Sequence, residues 1–207
     1  MRAIAAGLTD IGRERNHNED RFILLPEFNV FVVADGMGGH QSGEVASRMA
    51  AATIASFFRA QPPPGGVGEQ LRAAVCDANA KIFARADDSR AHRGMGTTVV
   101  AAAYSPSDGF MHVCHAGDSR AYHLRGPKLK QLTIEDEDLV KIVHETSVLT
   151  EACARLVEAA NRNGGRDNIT AVLVRIEGEA EPWSRRSPGA RASTPPKSDD
   201  GAGSTEG

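Results

Sequence analysis

The chain is predicted to be α+β, a β core covered by helices. Three observations predict it. Its elements come in segregated runs (strands, two helices, a block of strands, helices, a last strand) rather than in alternating βα units. Period-2 and period-3.6 apolar patterns occupy separate blocks. The composition, 41% hydrophobic and 25% charged over 207 residues, suits one soluble domain with a sizeable core.

The elements follow in order. Residues 21–26 and 28–34 read as paired strands around Pro26-Glu27. A helix is predicted from His40 to about residue 60, because Val45, Met49, Ile54, Phe57 and Phe58 fall near one face. The run QPPPGG from Gln61 ends it. A second helix over 68–86 carries Leu71, Val75, Ala78 and Ile82 as one stripe. Strands are predicted at 97–104, 109–115, 119–124 and 128–132, separated by the turn signals PSDG and RGPK. Residues 137–145 and 150–161 read as helices, the second with Leu149, Cys153, Leu156 and Ala160 in register. Residues 168–176 close as a strand apolar on both faces, hence covered on both sides.

Charge and hydropathy exclude several function classes. A net charge of −3 does not suit a nucleic-acid or acidic-membrane surface. No apolar run approaches a bilayer span, and the first ten residues do not form a signal-peptide core. Cys76, Cys114 and Cys153 are widely spaced in apolar segments, which fits reduced core thiols and a cytoplasmic location. From about Glu181 the chain is dense in Pro, Ser, Gly and charge, so residues 1–178 are taken as the folded domain and 179–207 as a disordered tail.

The chemistry concentrates at FVVADGMGGHQSGEVAS, residues 31–47. An apolar strand meets an aspartate, three glycines and the start of a helix. A tight turn explains this blandly; an approaching phosphate or cation explains it more sharply. A dinucleotide fingerprint fails at Gln41, where the last glycine belongs, and a phosphate-binding P-loop fails because Glu44 replaces the lysine. A hard divalent cation suits the oxygen-rich stretch better. Further carboxylates stand at element boundaries: Asn18-Glu19-Asp20, Asp118 after Gly117, and Asp167-Asn168 after Gly165-Arg166. Singly, each is ordinary turn or cap chemistry; together with Asp35 they favour a shared role.

These stretches carry a resemblance. TDIGRERNHNED (9–20), VADGMGGH with GEVAS (33–47), GMGTT (94–98), HAGDSRAY (115–122) and GGRDNIT (164–170) occur in the order found in the protein phosphatase 2C, or PPM, family of metal-dependent Ser/Thr protein phosphatases. The sequence resembles that family's bacterial members. The resemblance implies a four-layer α-β-β-α sandwich of two antiparallel sheets flanked by helices. It implies two Mn²⁺ or Mg²⁺ ions, with a third bound weakly. Asp35 matches the metal-bridging aspartate, Gly36 a carbonyl ligand, Glu19 a ligand of the second metal and Asp167 one of the first. Asp20 would act through bound water and Asp118 toward the third metal. Arg15 matches the arginine that grips the substrate phosphate, and His40 the general acid toward the leaving oxygen. The implied activity is hydrolysis of phosphoserine and phosphothreonine in proteins by a metal-activated water, opposing a Ser/Thr kinase, in a monomer.

The resemblance breaks near residue 134. There the family continues with several dozen residues, a flap and a strand ending in Ser-Asp-Gly, whose aspartate binds the first metal. Here Gln131-Leu132-Thr133 runs directly into IEDEDLVKIV. Ser107-Asp108-Gly109 has the right letters but the position of a hairpin turn. The expected consequences are a missing central strand, unpaired sheet edges and one carboxylate fewer. Glu135, Asp136 and Asp138 could replace it, or could form a solvated helix N-terminus. The alternative function is a phosphatase-like domain that binds phosphoprotein or metal without turnover.

Overall fold

The computed structural model describes residues 2–38, 42–88, 92–133 and 148–178. Its order is β1 (Arg2–Asp10), β2 (Asp20–Leu25), a 3-10 turn (Pro26–Phe28), β3 (Val30–Met37), α1 (Ser42–Arg59), α2 (Val67–Asp88), β4 (Gly96–Thr97), β5 (Val99–Ser105), β6 (Phe110–Ala116), β7 (Tyr122–Arg125), β8 (Lys128–Gln131), α3 (Leu149–Arg162) and β9 (Ile169–Glu177). The strands form a five-stranded antiparallel sheet, β2-β3-β5-β6 with β4 on the end of β3, and two-stranded pairs β1-β9 and β7-β8. Helices α1 and α2 cover one face of the large sheet, α3 covers β1 and β9, and β1 and β9 lie against β2 and β3. The layers are therefore α-β-β-α, as the resemblance implies.

The α2 stripe Leu71, Val75, Ala78 and Ile82 is buried as its periodicity predicts. Helix α1 departs from expectation. Its buried row is Gly43, Ala46, Ser47, Ala50, Ile54 and Phe58, while Val45, Met49 and Phe57 are only partly covered. Small residues let this helix approach the sheet closely, and the bulky ones fill its flanks. Strand β1 is absent from the sequence reading, because Ala and Gly are poor strand formers. It exists through pairing with β9 along all nine residues, from Arg2↔Glu177 to Asp10↔Ile169. The PSDG stretch is a turn: Gly109 N–H donates to the Ser105 carbonyl and Phe110 N–H to Asp108 Oδ1.

Two expectations need correction. Cys153 is buried and Cys114 half-buried, but Cys76 is exposed and so is no core thiol. Strand β9 has α3 on one side and the large sheet on the other, yet no residue of it is fully buried. Among the described residues β9 pairs only with β1, and β7 and β8 only with each other. Residues 134–147, with Glu135, Asp136 and Asp138 and the expected helix at 137–145, lie outside the described residues, as do His40 and the segment 179–207.

Candidate metal centre

Strand β3 does not stop at the aspartate. It continues through Asp35 and Gly36 to Met37, where β4 pairs with it (Gly36↔Thr97, Met37↔Gly96). At Asp35 and Gly36 the backbone is therefore strand, not turn. On the other side, β2 is in register so that Asp20 stands directly opposite Asp35. Like charges in that position oppose pairing, so the arrangement needs something positive nearby.

Asp20 is 5% exposed. It is held by a relay of side chains: Asn18 Nδ2 donates to Thr9 Oγ1 (2.9 Å), Thr9 and Thr170 hydroxyls meet at 2.8 Å, and Thr170 Oγ1 donates to Asp20 Oδ2 (2.6 Å). Burial pushes its pKa up against the Thr170 and Asp35 hydrogen bonds, and the charges of Asp167 and Glu19 add to the rise. Asp35 is open to solvent on one side but desolvated on the other. That desolvation, with the charges of Asp20, Asp167 and Asp118 and a hydrogen bond to Asp20, raises its pKa to about 6. Its backbone is fixed by Thr98: Thr98 N–H donates to the Asp35 carbonyl (2.8 Å), and Asp35 N–H donates to Thr98 Oγ1 (3.2 Å). Thr97 Oγ1 adds a bond to the same carbonyl (2.9 Å). Thr98 also hydrogen-bonds Ser119, tying the Asp118 loop to Asp35.

Glu19 reaches the centre because glycines allow close approach. A Cβ on Gly36 would lie 2.1 Å from the Gly43 carbonyl, and one on Gly43 would lie 2.8 Å from Glu19 Oε2. Gly36 N–H donates to the Glu19 carbonyl (3.2 Å).

Asn168 joins the second sheet to this cluster. Its Oδ1 accepts from Glu19 N–H (2.8 Å), and its Nδ2 donates to the carbonyls of Ile11 and His17 (2.9 Å each). One side chain thus closes the loop that carries Arg15. Asp167 accepts from Asn168 N–H through Oδ1 (2.8 Å) and pairs with Arg15 Nη2 through Oδ2 (2.6 Å), both side chains being at least half exposed.

The structure thus brings Asp20, Asp35, Glu19 and Asp167 near the ends of β2, β3 and β9, with Asp118 close enough for its charge to act on Asp35 and Arg15 paired to Asp167. Among the described residues no three His, Cys, Asp or Glu side chains form a ready-made ion cage. The donor set nevertheless fits a hard divalent cation. All its members are oxygens, and the mutual repulsion that raises Asp35 is what such an ion relieves. Thr9, Thr98, Asn168 and Thr170 escaped the sequence reading as functional residues. Their signal was present, since all four lie inside the quoted motifs, but hydrogen-bond partners some 60 to 160 positions away leave no local trace.

Comparison with known proteins bears on this geometry. The family model described as Protein phosphatase 2C matches residues 12–176. The chain belongs to the protein phosphatase 2C family. Among curated members it is similar to the serine/threonine phosphatase stp of Listeria welshimeri, at 35% identity over 179 residues, covering 84% of this chain and 67% of that protein. Among solved structures it resembles the Mycobacterium tuberculosis serine/threonine phosphatase PstP/Ppp, with a TM-score of 0.72 and 27% identity over 86% of this chain and all of that one. It also resembles the catalytic domain of PstP in complex with two manganese ions, with a TM-score of 0.69 and 28% identity over 83% of this chain and 97% of that one. Within protein phosphatase 2C structures, then, a centre that binds manganese occurs on this same fold.

Proposed function

We propose that this chain hydrolyses phosphoserine and phosphothreonine in proteins, using Mn²⁺ or Mg²⁺, and opposes a Ser/Thr kinase. The observation that carries the reading is Asp20 facing Asp35 across two paired strands, with Asp167, Glu19 and Arg15 converging on them. Divalent cations bound there would supply an activated water and screen the phosphoryl charge. Asp35, the Gly36 carbonyl, Glu19 and Asp167 would hold them, Asp20 acting through water and Asp118 toward a weaker third ion. Thr170 keeps Asp20 oriented, and Thr97 and Thr98 keep the Asp35 carbonyl from turning away. Arg15 grips the substrate phosphate; its exposed pair with Asp167 exchanges readily for a phosphate dianion. His40 is assigned as the acid toward the leaving oxygen.

Residues 1–178 form the catalytic domain and 179–207 an appended tail. We read the protein as a monomer acting in the cytoplasm; the described helices include none long and apolar enough to cross a membrane. The alternative of a binding-only domain rests on the absent Ser-Asp-Gly aspartate. It is not favoured, because the remaining oxygen donors and Arg15 are all present and the similar proteins are named as phosphatases.

The test is Mn²⁺-dependent release of phosphate from a phosphothreonine peptide. Turnover should require the metal and fall on the order of 10³-fold in Asp35→Asn. Absence of turnover from a well-folded protein would return the binding-only reading.

A further inference from the structure

A groove of about 370 Å³ runs beside the metal centre, with residues 21–25 of β2 on one wall and Arg48, Ala51, Ala52, Ala55 and Arg59 of α1 on the other. Successive side chains of a strand point to opposite faces, so a groove touching five consecutive residues follows the strand's edge. Strand β2 is the last strand of its sheet among the described residues. Its outer backbone groups are therefore placed to receive an added strand. The opposite wall is one helical stripe of small residues bracketed by arginines.

The charge of this groove selects its occupant. Arg21 and Arg48 share a single counter-charge, Glu44, at 3.0 and 3.5 Å. Arg59 has no ion-pair partner among the described residues, so the groove is net positive in a chain of net charge −3. One end opens at Arg21, next in sequence to Asp20 of the metal centre. From Arg48 to Arg59 the helix rises about 16 Å, and residues 21–25 span about 13 Å, the length of four or five extended residues.

We propose that this groove binds the acidic segment flanking the phosphorylated residue of a protein substrate, as an extended strand added to β2. Its acidic side chains, spread over about five positions beyond the phosphorylated residue, meet Arg48 and Arg59. The proposal rests on the phosphatase reading, and its test separates the two. Phosphothreonine peptides with Asp or Glu at those positions are compared with Ser or Ala counterparts, the flank placed on either side. On one side the acidic peptide should show a KM about tenfold lower. The double variant Arg48→Ala/Arg59→Glu should abolish that preference while hydrolysis of p-nitrophenyl phosphate stays within about twofold of wild type. No preference in the wild type, or a preference surviving in the variant, overturns the proposal. Should the protein turn over no substrate at all, the function reading fails, and binding of the labelled acidic peptide by fluorescence anisotropy decides the groove independently. Equal affinity of wild type and variant then rejects it.

Discussion

In the half of the sandwich built on the five-stranded sheet, Val30, Val32, Ala34, Ala101 and Ala103 lie under Ala46, Ala50, Ile54 and Leu71, each at most 1% exposed. In the half built on β1 and β9, no residue of β9 is fully buried and β1 buries only Ala6. The segments are similarly apolar: ITAVLVRI in β9 resembles VFVVA in β3. The difference lies in neighbours. Strand β3 has β2 on one edge and β5 on the other, with α1 over it. Among the described residues β9 pairs with β1 alone, with α3 on one side and the large sheet on the other. Burial thus follows from how many elements surround a strand, not from its own hydrophobicity. The proposed metal centre spans the two halves, taking Asp20 and Asp35 from the well-covered one and Asp167 and Arg15 from the other.

Matched core truncations should separate the two halves most. Ile54→Ala, at a fully buried position, should cost about 3 kcal/mol, and Ile4→Ala, in half-buried β1, about 1 kcal/mol. Equal losses in urea unfolding would show that the halves are equally covered in solution. Asn168→Ala tests their coupling. Three hydrogen bonds from one side chain hold the Arg15 loop to β9 and Glu19. Their loss should cost about 2 kcal/mol and weaken Mn²⁺ binding about tenfold, measured by calorimetry. An unchanged Mn²⁺ affinity would confine Asn168 to stability.

Acidity sharpens the comparison further. Because folding raises the Asp35 pKa to about 6, the folded state keeps a proton that the unfolded chain has already lost. Stability in chelator should therefore fall as pH rises from the ordinary carboxylate range through about 6. The melting temperature should be higher at pH 5 than at pH 7, and Asp35→Asn should flatten that slope. An equal slope in the variant would place the titration elsewhere. The smallest effect belongs to Thr170→Val, which removes one hydrogen bond to Asp20. About 1 kcal/mol should be lost in urea unfolding, and an unchanged midpoint would show that this bond adds nothing to stability.

Much of the well-covered half was legible in the sequence. Leu71, Val75, Ala78 and Ile82 have a helical period because that helix lies on the surface of a core, and local periodicity records which side faces inward. The buried face of α1 was misread because Ala, Ser and Gly give no hydrophobic signal even where close approach to a sheet selects them. Strand β1 was invisible for the same reason. The site's carboxylates were legible as acidic residues at strand ends inside family motifs. What held them was not, since Thr98 fixes Asp35 from 63 positions away and Thr170 fixes Asp20 from 150.

The family, most of the element order and the carboxylates that gather were fixed by residue identity and spacing alone. That Asp20 faces Asp35, that β1 is a strand, that β9 pairs with β1 alone among the described residues and that a basic groove lies beside β2 were settled by the tertiary structure. Each depends on which segments pair across the chain, and pairing is settled by register and burial among all segments at once.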